Sequence, residues 1–163
     1  MDQPRLRKIS EEKKVFSSKP LTRILAIDYG EKWIGLAVSD PLQLTAQPLG
    51  THLLGTEEEN RLFFADLLKK YEVSLIVIGW PLKMNGQPGN QANLVEKFAQ
   101  WLKNNFGLPV VLWDERLTTR QAQALLQEQK IKAIKGKKIE HTLVAVLLLE
   151  AFLERKKLDE SAP

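Results

Sequence analysis

Residues 24–40 read ILAIDYGEKWIGLAVSD, and the fold turns on how this stretch is parsed. A continuous apolar run ends in Asp28, the chain turns at Tyr29-Gly30-Glu31, and a second apolar run closes on Asp40. RILAID (23–28) has the composition of a strand buried on both faces, and WIGLAVSD (33–40) alternates well enough to be its hairpin partner. A carboxylate at the end of a buried strand is expensive to desolvate unless a cation or a cap compensates it. Asp28 is therefore either a turn cap or part of a site.

Working outward, LTAQPLGTH (44–52) is a third, weaker strand, demoted by Pro48. EEENRLFFADLLKKY (57–71) carries acids in its first turn and apolar residues at helical spacing, which predicts an amphipathic helix. SLIVIG (74–79) is a short buried strand and WPLKMNGQPGN (80–90) a loop by its glycine and proline content. A second helix follows over 91–107, closed by Gly107, then a buried strand in LPVVLWDE (108–115). TTRQAQALLQEQ (118–129) is a helix with a threonine cap, and EHTLVAVLLLEAFLERKK (140–157) is apolar on nearly every side, so it must lie against the sheet. Three strands, then helices alternating with strands, define an α/β fold whose mixed sheet is antiparallel in its first three strands and parallel after them. Residues 1–20 read as a flexible charged extension, 21–157 as one domain and 158–163 as a disordered tail.

The 163 residues are 44% apolar, enough for one domain with a real core. No cysteine is present, which excludes disulfides and thiolate metal sites and suits a reducing compartment. No apolar run approaches a membrane span, and the expectation is a soluble, cytoplasmic protein, monomeric or weakly homodimeric. The net charge of +4 agrees with a polyanionic partner, and five lysines fall within KIKAIKGKK (130–138): Lys130, Lys132, Lys135, Lys137 and Lys138.

The last buried strand also ends in acid, at Asp114 and Glu115. If that strand neighbours the first, two or three carboxylates converge at one sheet edge and repel unless a cation neutralises them. Hard divalent ions such as Mg²⁺ take such oxygen ligands. Strand alternation sends Asp114 and Glu115 to opposite faces, so only one of them can reach such a site, and Asp114 could instead cap the helix that follows. His52 reads as an exposed or locally bonded histidine. Gly79, Gly86 and Gly89 read as turn residues.

DYGEKWIGLAVSD, VIGWPLKMNGQPG, DERLTT and AVLLLEAFL, in this order, resemble the YqgF (RuvX-like) family of Holliday-junction resolvase-like and pre-16S rRNA nuclease proteins over roughly residues 22–155. The resemblance implies an RNase H-like fold and a two-metal phosphodiesterase site served by Mg²⁺ or Mn²⁺. Its first-strand acid falls on Asp28, its strand-end glutamate on Glu115, and further motif acids on Asp40 and Asp114. Its last acid falls on His141, and an arginine usual in the first motif is replaced by Trp33. It implies Asp28, Glu115, His141 and Asp114 as catalytic residues, the first three as metal ligands. Lys32, Arg116, Lys135, Lys137 and Lys138, with Lys83 and Arg120 beside them, are the expected phosphate contacts.

Four functions follow from this pattern. The first is a metal-dependent nuclease processing the 5′ end of pre-16S rRNA. The second is resolution of branched DNA in recombination or repair, and the third a non-catalytic RNA binder in ribosome assembly. DYGEKWIG also looks like the phosphate loop of actin-like ATPases, whose two domains this chain is too short to hold. A histidine in the first turn of a helix is favoured as neutral imidazole by the dipole, which would suit metal ligation.

Overall fold

The computed structural model describes residues 21–117 and 137–161. The expected extension over 1–20, the expected helix over 118–129, and Arg120, Lys130, Lys132 and Lys135 lie outside the described residues.

Five strands form one sheet: β1 (Arg23–Tyr29), β2 (Trp33–Ser39), β3 (Ala46–Leu53), β4 (Val73–Trp80) and β5 (Val110–Asp114). Their order is β3-β2-β1-β4-β5. The β1–β2 and β2–β3 pairs are antiparallel, and β1–β4 and β4–β5 parallel, as the order of elements in the sequence requires. β1 is central, which explains its unbroken apolar run: Ile24, Leu25, Ala26 and Ile27 are all fully buried. β3 is an edge strand, where Pro48 removes no ladder bond that a further strand would need. Its register against β2 slips between Leu36 and Ala37, so Leu49 forms a bulge beside Gly50.

Among the described residues, two helices cover one face and one helix the other. α1 (Glu57–Lys70) starts at a capping box, in which the Glu59 N–H donates to Thr56 Oγ1 and the Thr56 N–H to Glu59 Oε2. α2 (Asn90–Phe106) ends on Gly107 in the left-handed conformation, as its position predicts. Strand alternation sends Leu25, Ile27, Ile34, Leu36, Ile76 and Ile78 into the core under these helices. Phe64 fills its centre, ringed by Phe98, Trp101 and Phe106. Burying each such side chain stabilises the fold by about 1.5–3 kcal/mol.

The opposite residues, Ile24, Ala26, Ala37 and Val77, pack against Ala145, Leu148, Leu149 and Leu153 of α3 (Lys137–Ser161). α3 is longer than the sequence predicts at both ends, and residues 158–161, read as tail, are helical. Ion pairs Arg155–Asp159 and Lys156–Glu160 at i,i+4 spacing hold that last turn, together with a bond from Lys156 to Gln43. Among the described residues no helix is long and apolar enough to cross a membrane.

α3 crosses β2 in direct backbone contact. A Cβ on Gly35 would fall inside the His141 carbonyl group, so only glycine permits the approach. Backbone cannot rotate out of the way as a side chain can. Gly35→Ala is therefore expected to destabilise the protein by about 1–3 kcal/mol or more, with a lower urea midpoint and an unchanged m value.

Candidate active site

The same alternation that builds the second core aims Asp28 at α3, two residues beyond Ala26. Gly35 is its register partner across the β1–β2 ladder. Because α3 rests on Gly35, His141 is delivered over Asp28, and His141 Nδ1 lies 2.6 Å from Asp28 Oδ2. Both side chains are largely sheltered.

Glu115 arrives from the other side. Leu112 faces the α1–α2 core and Trp113 the α3 core, so the chain beyond β5 separates the two acids as alternation predicts. Glu115, in a single 3₁₀ turn (Glu115–Leu117), lies on the Asp28 face. Its Oε1 sits 2.5 Å from where a Cβ on Gly79 would be, so Gly79 makes room for a carboxylate. The turn role read for Gly79 is thereby corrected: it stands inside β4, opposite Trp113. Gly86 does sit in a turn, at φ +83°, and Gly89 precedes α2 as its N-cap.

Asp114 is engaged elsewhere. Arg116 Nε and Nη2 donate to its carboxylate at 2.7–3.1 Å, and the Arg116 N–H donates to Oδ1 at 3.0 Å. The Arg116 fork holds the Asp114 carboxyl below the usual carboxylate range. Asp40 lies at the far end of β2, where its carboxylate accepts from the Leu42, Leu44 and Thr45 N–H groups and shapes the β2–β3 turn. Of the acids singled out in sequence, Asp28 pairs with His141 and Glu115 lies on the same face, near enough to feel the Asp28 charge, while Asp114 and Asp40 are bonded within their own turns.

The electrostatics follow from this arrangement. Burial pushes the Glu115 carboxyl up, and the negative charges of Asp28 and Asp114 push it further, to about 7. The hydrogen bond to Asp28 raises His141 above its ordinary value, against the opposing effect of burial. The direction is opposite to the one the helix dipole alone would give. α3 begins at Lys137, which puts His141 in the second turn, where the helix dipole has faded and the carboxylate dominates. Among the described residues no three His, Cys, Asp or Glu side chains form a group able to hold a metal ion.

Of the expected phosphate contacts, Lys32 is exposed in the β1–β2 turn, and Arg116 is partly exposed beside the loop after β4. Lys137 and Lys138 open α3. His52 is half-buried and stacked on Phe63 at 3.5 Å between ring centroids. The residues missed in sequence are Gly35 and Gly79. The available signal was a glycine inside each strand pattern, a mark of close approach by another group.

A five-stranded sheet in this order, carrying acids at the ends of its first and last strands, is the RNase H-like fold of junction resolvases. The chain aligns over 83% of its length, and 96% of theirs, with T. thermophilus RuvC in complex with a Holliday junction substrate, at a TM-score of 0.53 and 14% identity. It aligns with the fowlpox virus Holliday junction resolvase at 0.50 and 14%, over 82% of this chain and 99% of that one. Within this fold class, residues 22–155 match the model of the family described as "RuvX: Holliday junction resolvase", and the chain belongs to that family. A protein of Koribacter versatilis named "Putative pre-16S rRNA nuclease" is 40% identical over 141 residues, covering 86% of this chain and 92% of its own. One of the same name from Desulfitobacterium hafniense is 45% identical over 132 residues, covering 81% and 92%.

The raised Glu115 carboxyl sets a pH dependence. Its folded value, about 7, exceeds its ordinary 4.5, so the folded state keeps a proton that the unfolded chain has released. That stabilisation is complete below pH about 4.5 and is lost as pH rises through about 7, a fall of roughly 3 kcal/mol from this group. The raised His141 acts in the same direction. In chelator, stability of the wild type is expected to fall between about pH 5 and 8, and Glu115→Gln to fall less and be the more stable protein at the upper end. Urea melts across that range check it, and parallel slopes would contradict the burial of this charge.

Proposed function

We propose that the chain is a divalent-metal-dependent nuclease that hydrolyses phosphodiester bonds at the Asp28–Glu115 site, acting at the 5′ end of the 16S rRNA precursor. The observation that carries this reading is the convergence of two carboxyls at one sheet edge, where Glu115 keeps its proton to about pH 7 because burial and neighbouring acids oppose its charge. An arrangement that disfavours its own ionised state favours a cation. The donor set fits: two carboxylate groups suit a hard ion such as Mg²⁺ or Mn²⁺. The names carried by the relatives favour the rRNA precursor.

Asp28 and Glu115 would hold the ion. A divalent cation held there neutralises phosphate charge and lowers the pKa of an attacking water. His141 donates to Asp28 Oδ2 from Nδ1, so its proton and the cation compete for one carboxylate. Lys32, Arg116, Lys135, Lys137 and Lys138 would bind backbone phosphates and set the salt dependence. A four-way DNA junction is the second substrate to test, favoured by the description of the family that residues 22–155 match.

The test is cleavage of precursor 16S rRNA, single-stranded RNA and a four-way DNA junction, with Mn²⁺ or with chelator, by wild type and Asp28→Asn. Cleavage of the precursor is expected only with Mn²⁺. Asp28→Asn should lose it by more than the roughly 10–100-fold that removing even an outer-shell partner costs. Equal binding of RNA with metal or chelator, with no cleavage of any substrate, would favour a non-catalytic binder instead.

A further inference from the structure

The loop joining β4 to α2 is tightly pinned. Leu82 and Pro88 form an antiparallel bridge, the Lys83 N–H donates to Gln87 O at 3.0 Å, and the Gly86 N–H donates to Lys83 O at 2.8 Å. The Gln87 N–H donates to Asn85 Oδ1 at 3.0 Å, and Gly86 takes φ +83°, which favours glycine. These bonds close a four-residue turn that holds Met84 at its tip, 94% exposed. A single exposed apolar residue is ordinary on a protein surface. Its surroundings here are not.

The Arg116 Nη1 atom lies 3.5 Å from where a Cβ on Gly86 would sit, and Arg116 is aimed by its fork on Asp114. The Lys83 stem lies along Gly89. The apolar tip thus follows Lys83 in a turn whose Gly86 faces the Arg116 guanidinium. The loop springs from the end of β4, between the strand ends that carry Asp28 on one side and Asp114–Glu115 on the other. Its far end is tied to the site, since Gln91 Nε2 donates to Tyr29 O at 3.3 Å.

We propose that Met84 is a base-contacting finger, packing on the face of an unstacked base beside the cleavage site while Lys83 and Arg116 hold the flanking phosphates. The inference rests on the nucleic-acid reading above and adds a substrate preference to it. A thioether is polarizable and flexible, so it suits any base face regardless of identity. Apolar side chains of this size, methionine among them, serve elsewhere as wedges at base steps. The interior of a continuous duplex offers no open base face. Ends, branches and single-stranded flanks do.

Fluorescence-anisotropy titrations in chelator separate binding from cleavage. The probes are a duplex with a single-stranded overhang and a blunt duplex, with wild type, Met84→Ser and Met84→Leu. Met84→Ser is expected to weaken overhang binding about five- to tenfold, with blunt-duplex binding unchanged and Met84→Leu close to wild type. The salt dependence should also be unchanged, since no phosphate contact is removed. Wild-type affinity of Met84→Ser for the overhang, or an equal loss on both probes, would overturn the finger, as would a wild type that binds neither. If Met84 gives the preference for the overhang but no substrate is cut with Mn²⁺, the finger stands and the nuclease reading falls.

Discussion

The backbone of α3 lies directly on β2 at Gly35, and the rest of the site depends on that contact. Glycine removes the side chain that would hold the helix away from the sheet. With the helix at that distance, Leu148, Leu149 and Leu153 reach Ile24, Ala26, Ala37 and Val77, and the second core closes. The same approach sets His141 over Asp28, the cross-strand partner of Gly35. Packing and chemistry therefore share one structural decision, and neither can be adjusted without the other.

A second glycine does the same for charge. Gly79 vacates the space that the Glu115 carboxylate fills, bringing it across β4 toward Asp28. The fold thus buries an acid beside others, and burial, added to by the neighbouring charges, pushes the Glu115 carboxyl up to about 7. Such a site weakens the apo protein and strengthens its grip on a cation. The Asp114 carboxylate is instead taken up by its ion pair with Arg116, which fixes the position of that guanidinium.

Much of this was legible in the sequence. The unbroken run of β1, the hairpin after Gly30 and the demoted strand at Pro48 gave the sheet, because burial on both faces and edge position leave direct marks on composition. Alternation alone separates Asp114 from Glu115. The two glycines were harder to read, since a glycine within a strand signals close approach without saying by what. The direction of the His141 shift is not legible for a similar reason: the dipole is local and visible, whereas Asp28 is brought to it from 113 residues away by the fold. Asp40 has a place in the first motif, and its oxygens are used by the Leu42, Leu44 and Thr45 amides.

Calorimetric titration of the full chain with Mn²⁺ at several pH values, each in two buffers of different ionisation enthalpy, tests the convergence of Asp28, Glu115 and His141 most directly. The expected result is binding that strengthens as pH rises through about 7, with protons released on binding, and that is lost in Asp28→Asn. Binding with no proton release and no pH dependence, or binding that survives Asp28→Asn, would contradict it.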